Sequence, residues 1–318
     1  MDNVQHIYVL PGSFFRLLLI KEKSMGFINW QELEKMTTWA VAKSDEAAKG
    51  WDRGADGWQL RIDFEKNFTA AQVAAMTRVT KDTTVLDACC GTGRVTLPLA
   101  EKAKHVYAID AGEHMLEHCK RNVEANGYDN VTIKRIDNWH TCEPGKEIPV
   151  ADVAVAVISP AQADIVKFSK CAKQYCYFLS FTKDPYRAVM AELFEGTNPE
   201  MENFRPAGGP QGGMPRPPIM AVAGQNPVNL NIQFNILYDM GVFPEVSYAD
   251  GAWEHEAETK EEIYDYLREL GKVDSSREEK FRSNCDKRIT KTENGTYKYA
   301  YVSQMYVLGW DPNQIKED

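Results

Sequence analysis

The chain has 318 residues and a formal net charge of −9, so it is long enough for one large domain and a smaller cap. The acidic balance and the lack of basic runs argue against a nucleic-acid partner, because nucleic-acid binders place positive charge opposite the phosphates. No apolar stretch reaches the ~20 residues of a membrane-spanning helix, and seven cysteines without regular spacing fit a reducing compartment. We therefore predict a cytoplasmic protein that binds neither nucleic acid nor membrane.

The first 80 residues divide into an arm and a helical cap. Residues 1–24 hold apolar runs that are interrupted by Pro11, Gly12 and Arg16, and they lack the basic start of a signal peptide. We interpret them as an N-terminal arm or extension. Residues 25–80 have helical periodicity, which predicts a helical cap in front of the main domain.

The segment from Thr83 to Asp110 is the most informative part of the chain. An apolar run ends in Asp87, a turn of small residues with Gly91 and Gly93 follows, then a helical stretch, and a second apolar run ends in Asp110. This order predicts a nucleotide-binding βαβ unit. The glycines allow the backbone to approach a ligand closely, and an acid at the tip of the second strand can accept hydrogen bonds from both hydroxyls of a ribose.

The residues of the turn distinguish two classes of ligand. A dinucleotide site has a third glycine where this chain has the β-branched Thr96. The Asp87 carboxylate would repel a pyrophosphate but favour a ligand with an ammonium group. S-adenosylmethionine carries an ammonium group, a sulfonium, a ribose and an adenine, and it has no phosphate. The turn therefore favours S-adenosylmethionine over a dinucleotide.

The rest of the chain continues the alternation of strands and helices. Predicted strands follow at 131–136, 152–158, 175–181, 242–248 and 297–308, and predicted helices at 161–172, 184–194, 230–240, 260–270 and 275–289. We predict an α/β fold, a Rossmann-like seven-stranded, mostly parallel sheet with helices on both faces and an antiparallel last strand at its edge. Residues 81–310 form this core, with a loop or lid at 197–228, a helical insertion at 259–291 and a tail at 311–318.

The residues around the turn resemble those of class I S-adenosylmethionine-dependent methyltransferases. The shared pattern is Asp-x-x-x-Gly-x-Gly with an acid after the second strand, and the similarity continues to about Pro160. Cys89 and Gly112 stand where this family usually has glycine and serine. The resemblance implies S-adenosyl-L-methionine as the cofactor. The cofactor-binding residues that it implies are Asp87, Cys89, Gly91, Gly93, Asp110, Ala111, Met115, Asp137, Asn138 and Ser159.

Several of these residues also have structural explanations. Asp137 ends a strand, where acids are common, and Met115 can serve packing alone. Cys89 and Cys90 form an adjacent pair, which chelates one ion poorly and has no further ligands at a suitable spacing, so no metal site is predicted.

Three tryptophans are candidates for the substrate side of the pocket, namely Trp51, Trp58 and Trp139. The resemblance implies that Trp51 and Trp58 in the cap exclude water from the reacting centre. Packing of the cap on the sheet explains Trp51 and Trp58 equally well. His140 is a weak candidate for a general base, needed only if the acceptor must lose a proton.

The resemblance implies methyl transfer by in-line displacement at the methyl carbon. From the acidic charge, and from Ser159-Pro160 at the end of the fourth strand, we predict a small-molecule acceptor. The alternatives are an RNA or protein methyltransferase, or a protein that binds S-adenosylmethionine without catalysis. The identity of the acceptor and the oligomeric state stay open at this point.

Overall fold

The structure is a computed structural model that describes residues 28–34, 45–182, 185–197, 227–271 and 273–315. Its helices are α1 (Trp30–Glu34), α2 (Asp45–Asp52), α3 (Ala55–Phe64), α4 (Lys66–Ala75), α5 (Thr96–Lys102), α6 (Glu113–Ala125), α7 (Ile165–Ser169), α8 (Pro185–Leu193), α9 (Pro227–Asp239), α10 (Lys260–Glu269) and α11 (Glu278–Asp286). Its strands are β1 (Thr84–Ala88), β2 (His105–Asp110), β3 (Val131–Arg135), β4 (Ala151–Val157), β5 (Ala172–Phe181), β6 (Glu245–Ala257), β7 (Ile289–Lys291) and β8 (Tyr297–Trp310). The predicted arm at 1–24 and most of the predicted loop or lid at 197–228 lie outside the described residues.

The strands form one sheet with the order β3-β2-β1-β4-β5-β8-β6, and the short β7 also pairs with β8. The first five strands pair in parallel, whereas β8 is antiparallel to β5, β6 and β7. The predicted fold class is confirmed, with eight strands among the described residues where seven were predicted. The prediction that the last strand lies at the edge is wrong, because β8 lies between β5 and β6. The C-terminal half of β8 is buried, which fits a strand with a neighbour on each side.

The core lies on both faces of the sheet, because side chains that follow each other along a strand point to opposite faces. Val85 and Leu86 in β1 are both fully buried. Val85 belongs to a cluster that includes Phe68 of the cap, and Leu86 belongs to a second cluster that includes Phe168 and Trp310. Burial on both faces explains why the parallel strands are almost continuously apolar.

The cap and the insertion pack against the antiparallel half of the sheet. The cap helix α4 lies along β6, and the insertion helices α10 and α11 contact β6, β7, β8 and α8. Thr259 and Glu262 form a capping box at the start of α10. In α11, the Asn284 side-chain amide donates hydrogen bonds to the carbonyls of Leu193 and Glu195, at 3.1 and 2.9 Å. Among the helices that the structure describes, none is both long and apolar enough to cross a membrane.

The cap and the sheet approach each other closely at Gly251. A Cβ atom at this position would lie 2.4 Å from Cδ2 and 2.6 Å from Cα of Phe68. We expect Gly251→Ala to lower the free energy of unfolding by about 1–3 kcal/mol, because the backbone of Phe68 cannot turn away as a side chain can. Urea unfolding followed by circular dichroism measures this change. Gly57→Ala is the matched control, since a Cβ there meets nothing within 4 Å; equal stability of the two variants would contradict the tight contact.

Candidate functional site

A pocket opens at the carboxyl ends of β1, β2 and β4, between the sheet and the cap. Its cavity volume is about 150 Å³. The side chains around it come from the cap, the glycine turn and the ends of three strands. The lining residues are Trp51, Trp58, Arg61, Glu65, Asp87, Cys89, Cys90, Gly91, Thr92, Arg94, Val95, Asp110, Ala111, Met115, Ile136, Asn138, Trp139, His140, Val157, Ile158, Ser159 and Pro160.

The glycine turn has a backbone that few residue types adopt. The φ angles of Cys89, Gly91 and Gly93 are 59°, 57° and 89°, in the left-handed region that favours glycine. A Cβ at Gly93 would lie 2.8 Å from Sγ of Cys119. Gly93 does not line the pocket, so its function in the structure is to let the turn pack closely against α6.

The Asp110 carboxylate connects the two loops that border the pocket. Its Oδ2 accepts a hydrogen bond from the backbone N–H of Gly91, and its Oδ1 accepts one from the N–H of Gly112, both at 2.8 Å. Burial raises the pKa of Asp110, and the hydrogen bonds from Gly112, Gly91 and Ala111 partly offset this increase. A carboxylate has further lone pairs, so Asp110 can still accept hydrogen bonds from a ribose.

Asp87 lies at the end of β1, where it is buried. Thr96 Oγ1 donates a hydrogen bond of 2.6 Å to Asp87 Oδ2. Burial raises the pKa of Asp87 to about 6, although the Thr96 hydrogen bond and the Arg94 charge act in the opposite direction. Thr96, which breaks the dinucleotide pattern in the sequence, is therefore the residue that orients the Asp87 carboxylate.

Arg94 ties the glycine turn to the cap. Its Nε lies 3.2 Å from Oε2 of Glu65, and its Nη1 donates hydrogen bonds to Thr69 Oγ1 at 2.6 Å and to Gln72 Oε1 at 2.9 Å. Glu65 also pairs with Arg61, and the Arg61 guanidinium lies 4.2 Å from the centre of the Trp58 ring. Burial lowers the pKa of Arg94 and the Glu65 charge opposes this change, so the buried carboxylate and guanidinium compensate each other.

Three tryptophans line the pocket, two from the cap and one from the loop after β3. The rings of Trp51 and Trp58 in the cap are 5.8 Å apart between centres, and Trp51 is 41% exposed. Trp139 is buried at the end of the loop that follows β3, with the Lys167 ammonium 5.3 Å from its ring centre. The Asn138 side chain accepts a hydrogen bond from the N–H of His140 at 2.9 Å, which fixes the local course of this loop.

The structure brings the predicted site residues together at this pocket, with two exceptions. Gly93 packs against α6, and Asp137 is exposed and does not line the pocket. Three charged lining residues were missed in the sequence, namely Arg61, Glu65 and Arg94. Only Arg94 had a local signal, because it follows the last glycine of the turn. Within the described part of the chain no group of three or more acids, cysteines or histidines is arranged to hold a metal ion.

The two cysteines of the turn are protonated thiols at neutral pH. Burial and the nearby Asp110 charge raise the pKa of Cys89 well above its usual value. The hydrogen bond with Cys119 and burial do the same for Cys90. Because the thiolate is the nucleophilic form of cysteine, neither side chain is activated for attack on a substrate.

Comparisons with known proteins agree with this geometry. Residues 85–174 match the model of a methyltransferase domain family. A protein of Oceanobacillus iheyensis named as an uncharacterized RNA methyltransferase is 47% identical over 73 residues, which are 23% of this chain and 15% of that protein. The 23S rRNA (uracil(1939)-C(5))-methyltransferase of Hahella chejuensis is 39% identical over 64 residues, which are 20% of this chain and 14% of that protein.

Solved structures show a looser similarity. The magnesium protoporphyrin IX methyltransferase of Synechocystis, solved with bound S-adenosylhomocysteine, has a TM-score of 0.38 and 14% identity, over 80% of this chain and 83% of that one. The tRNA (m1A58) methyltransferase of Aquifex aeolicus has a TM-score of 0.37 and 12% identity, over 76% and 67%.

The match of residues 85–174 to a methyltransferase domain agrees with the predicted class, a class I S-adenosylmethionine-dependent methyltransferase, for which S-adenosylmethionine is the expected cofactor. The prediction of a small-molecule acceptor and no nucleic-acid partner is wrong, because the curated relatives are named as RNA methyltransferases. That prediction relied on the net charge of the whole chain, which does not describe the charge at the pocket.

The first prediction for this site concerns Asp110. If its carboxylate accepts both ribose hydroxyls, Asp110→Ala removes two hydrogen bonds to a charged acceptor, each worth about 1.5–3 kcal/mol. We expect the dissociation constant for S-adenosylhomocysteine to rise at least roughly tenfold, about 1.4 kcal/mol. Titration calorimetry measures this change, and circular dichroism checks that the variant is folded. An unchanged dissociation constant in a folded variant would place the ribose elsewhere.

The second prediction concerns the protonation of Asp87. Because burial raises its pKa to about 6, Asp87 is ionised at neutral pH and becomes protonated below pH 6. A ligand ammonium favours the ionised form, so S-adenosylhomocysteine should bind about tenfold more weakly at pH ~5 than at pH ~7.5. Asp87→Asn should lose this part of the pH dependence. Identical pH profiles of the two proteins would exclude a role for the Asp87 charge.

Proposed function

We propose that the protein transfers a methyl group from S-adenosylmethionine to an RNA. The similarity to proteins named as RNA methyltransferases carries this proposal. The chain spans only about 15% of the length of these relatives. The identity of the acceptor therefore also has to be argued from the pocket.

The aromatic side chains at the pocket fit an RNA base as the acceptor. Sequence-specific RNA binders commonly stack unpaired bases on aromatic rings and on arginine planes. Trp51 is exposed beside Trp58, and the Arg61 guanidinium covers the Trp58 ring. Enzymes that modify a base move it out of its stack into a pocket of this kind. A base that enters beside the two rings would face the end of β4 at Ser159.

The acidic net charge is compatible with an RNA acceptor because part of it lies on residues that do not line the pocket. The stretch from β6 to Glu258 contains no lysine or arginine, and its acids are Glu245, Asp250, Glu254, Glu256 and Glu258. In the sheet, β5 and β8 separate β6 from β4, the last strand that borders the pocket. Two of these acids are also paired along β8, Asp250 with Gln304 and Glu254 with Lys298.

The pocket supports direct displacement rather than covalent activation of the base by a cysteine. The sulfonium is already a good leaving group, so positioning of the acceptor supplies much of the acceleration, about 7–11 kcal/mol in well-oriented reactions. Cys89 and Cys90 border the pocket as thiols, and burial keeps the Cys89 proton in place. A base nitrogen or a ribose oxygen with its own lone pair is the acceptor that this pocket favours.

Transfer of a labelled methyl group tests the proposed function. The purified protein is incubated with tritium-labelled S-adenosylmethionine and total cellular RNA or protein, and mass spectrometry of the nucleosides identifies the product. We expect ribonuclease-sensitive label with the wild type and at least a tenfold lower rate with Asp110→Ala at limiting cofactor. Label in the protein fraction alone would contradict the proposal. Unlabelled RNA would also contradict it if the purified enzyme still binds S-adenosylhomocysteine.

A further prediction concerns Cys89, which has a positive φ angle. Glycine adopts this conformation without strain, so Cys89→Gly should fold and keep its methyl-transfer rate within about twofold if the thiol takes no part. Initial rates with RNA measure this. A loss of activity with intact binding of S-adenosylhomocysteine would instead assign the thiol a direct part in the reaction.

A further inference from the structure

The helix α6 begins without a capping side chain of its own. Its N-cap residue is Gly112, and no side chain at that position accepts a hydrogen bond. The first N–H groups of a helix have no partner within the helix, and serine, threonine, aspartate or asparagine at the N-cap normally accepts one of them.

A residue of the cap supplies the missing acceptor. Asp52, at the end of α2, accepts a hydrogen bond of 3.1 Å from the backbone N–H of Met115 through Oδ1. Met115 is the third residue of α6, which is the position that an N-cap side chain serves. The other oxygen, Oδ2, lies 2.7 Å from Nδ1 of His114. Asp52 is thus in the place of the N-cap side chain that Gly112 lacks.

The absence of a side chain at Gly112 makes room for this contact. A Cβ atom at Gly112 would lie 2.6 Å from Oδ1 of Asp52 and 3.0 Å from Cγ of Met115. A serine at this position would therefore displace the Asp52 carboxylate. The glycine and the aspartate are complementary, because one provides the space and the other provides the acceptor.

We infer that Asp52 is a positioning residue, which caps α6 from the cap and thereby holds the cofactor pocket in its binding geometry. The first turn of α6 borders the pocket through Met115, and Ala111 precedes it. Its N-cap amide is bonded to Asp110 on the inner side. Asp110 and Asp52 therefore hold the same turn from two directions. This inference rests on the cofactor site of the proposed function.

Further contacts between the cap and α6 follow along both segments of the chain. Asp56 lies 2.8 Å from Nε2 of His118, and the amide groups of Gln59 and Asn122 exchange hydrogen bonds of 3.0 and 2.8 Å. Trp51 precedes Asp52 and reaches the pocket. The contacts that dock the cap onto α6 therefore include the one that caps this helix. Through Asp52, which does not line the pocket, the cap contributes to cofactor affinity.

Binding of S-adenosylhomocysteine to the full chain tests this inference. Asp52→Ala should raise the dissociation constant about fivefold, the equivalent of a lost N-cap, and Asp52→Asn should keep it within about twofold, since asparagine is also a good cap. Asp56→Ala is the matched control, because it removes a neighbouring contact between the cap and α6 without affecting the first turn, and it should bind like the wild type.

A second substitution separates capping from a general loss of structure. Gly112→Ser should weaken binding in the wild type, where its Cβ meets Asp52, but it should restore binding in Asp52→Ala, where the serine can cap α6 itself. Exchange of the Met115 amide hydrogen in the ligand-free protein should be faster in Asp52→Ala and slow again in the double variant. The inference would be overturned if Gly112→Ser, added to Asp52→Ala, restored neither the affinity for S-adenosylhomocysteine nor the slow exchange of the Met115 amide, or only one of them. The amide exchange involves no ligand, so a failure of the proposed RNA activity would leave this result unaffected.

Discussion

The Asp110 carboxylate is the interaction on which the pocket depends. Its two oxygens accept hydrogen bonds from Gly91 in the glycine turn and from Gly112 at the start of α6. Both loops border the pocket, through Gly91 and Thr92 on one side of the chain segment and through Ala111 and Met115 on the other. A single side chain thus fixes the distance between them, and its loss is costly because both N–H groups would then lack an acceptor.

The part of the site that could be predicted from the sequence is the part built by neighbours in the chain. Asp87, Gly91 and Asp110 lie within one βαβ unit, where spacing determines position. Thr96 was recognised only as an obstacle to a dinucleotide, whereas its hydroxyl donates to Asp87. Glu65 had no local signal at all, because its contact with Arg94 depends on how the cap docks, and no periodic pattern encodes that angle.

The fold shows the same division between local pattern and long-range order. The parallel strands were recognisable as apolar runs, since both of their faces are buried. The strand predicted at 242–248 extends to Ala257, because Glu254 and its polar neighbours pair with β8 across the sheet and need not form a turn. The position of β8 between β5 and β6 follows from pairing with two distant strands. Alternation of polar and apolar residues identifies a strand but not its neighbours.

The ion pair between Arg94 and Glu65 links the glycine turn to a residue outside the segment that defines the family. The methyltransferase family model begins at residue 85, yet the partner of Arg94 is Glu65, whose side chain is 1% exposed. In the folded chain, a mutation that removes the Glu65 charge would leave a largely buried guanidinium without this counter-charge, at a cost of about 3–5 kcal/mol, a large part of the roughly 5–15 kcal/mol that stabilises a domain. The evolution of the cap and of the glycine turn is therefore linked, and we expect a change at Glu65 to be accompanied by a change at Arg94.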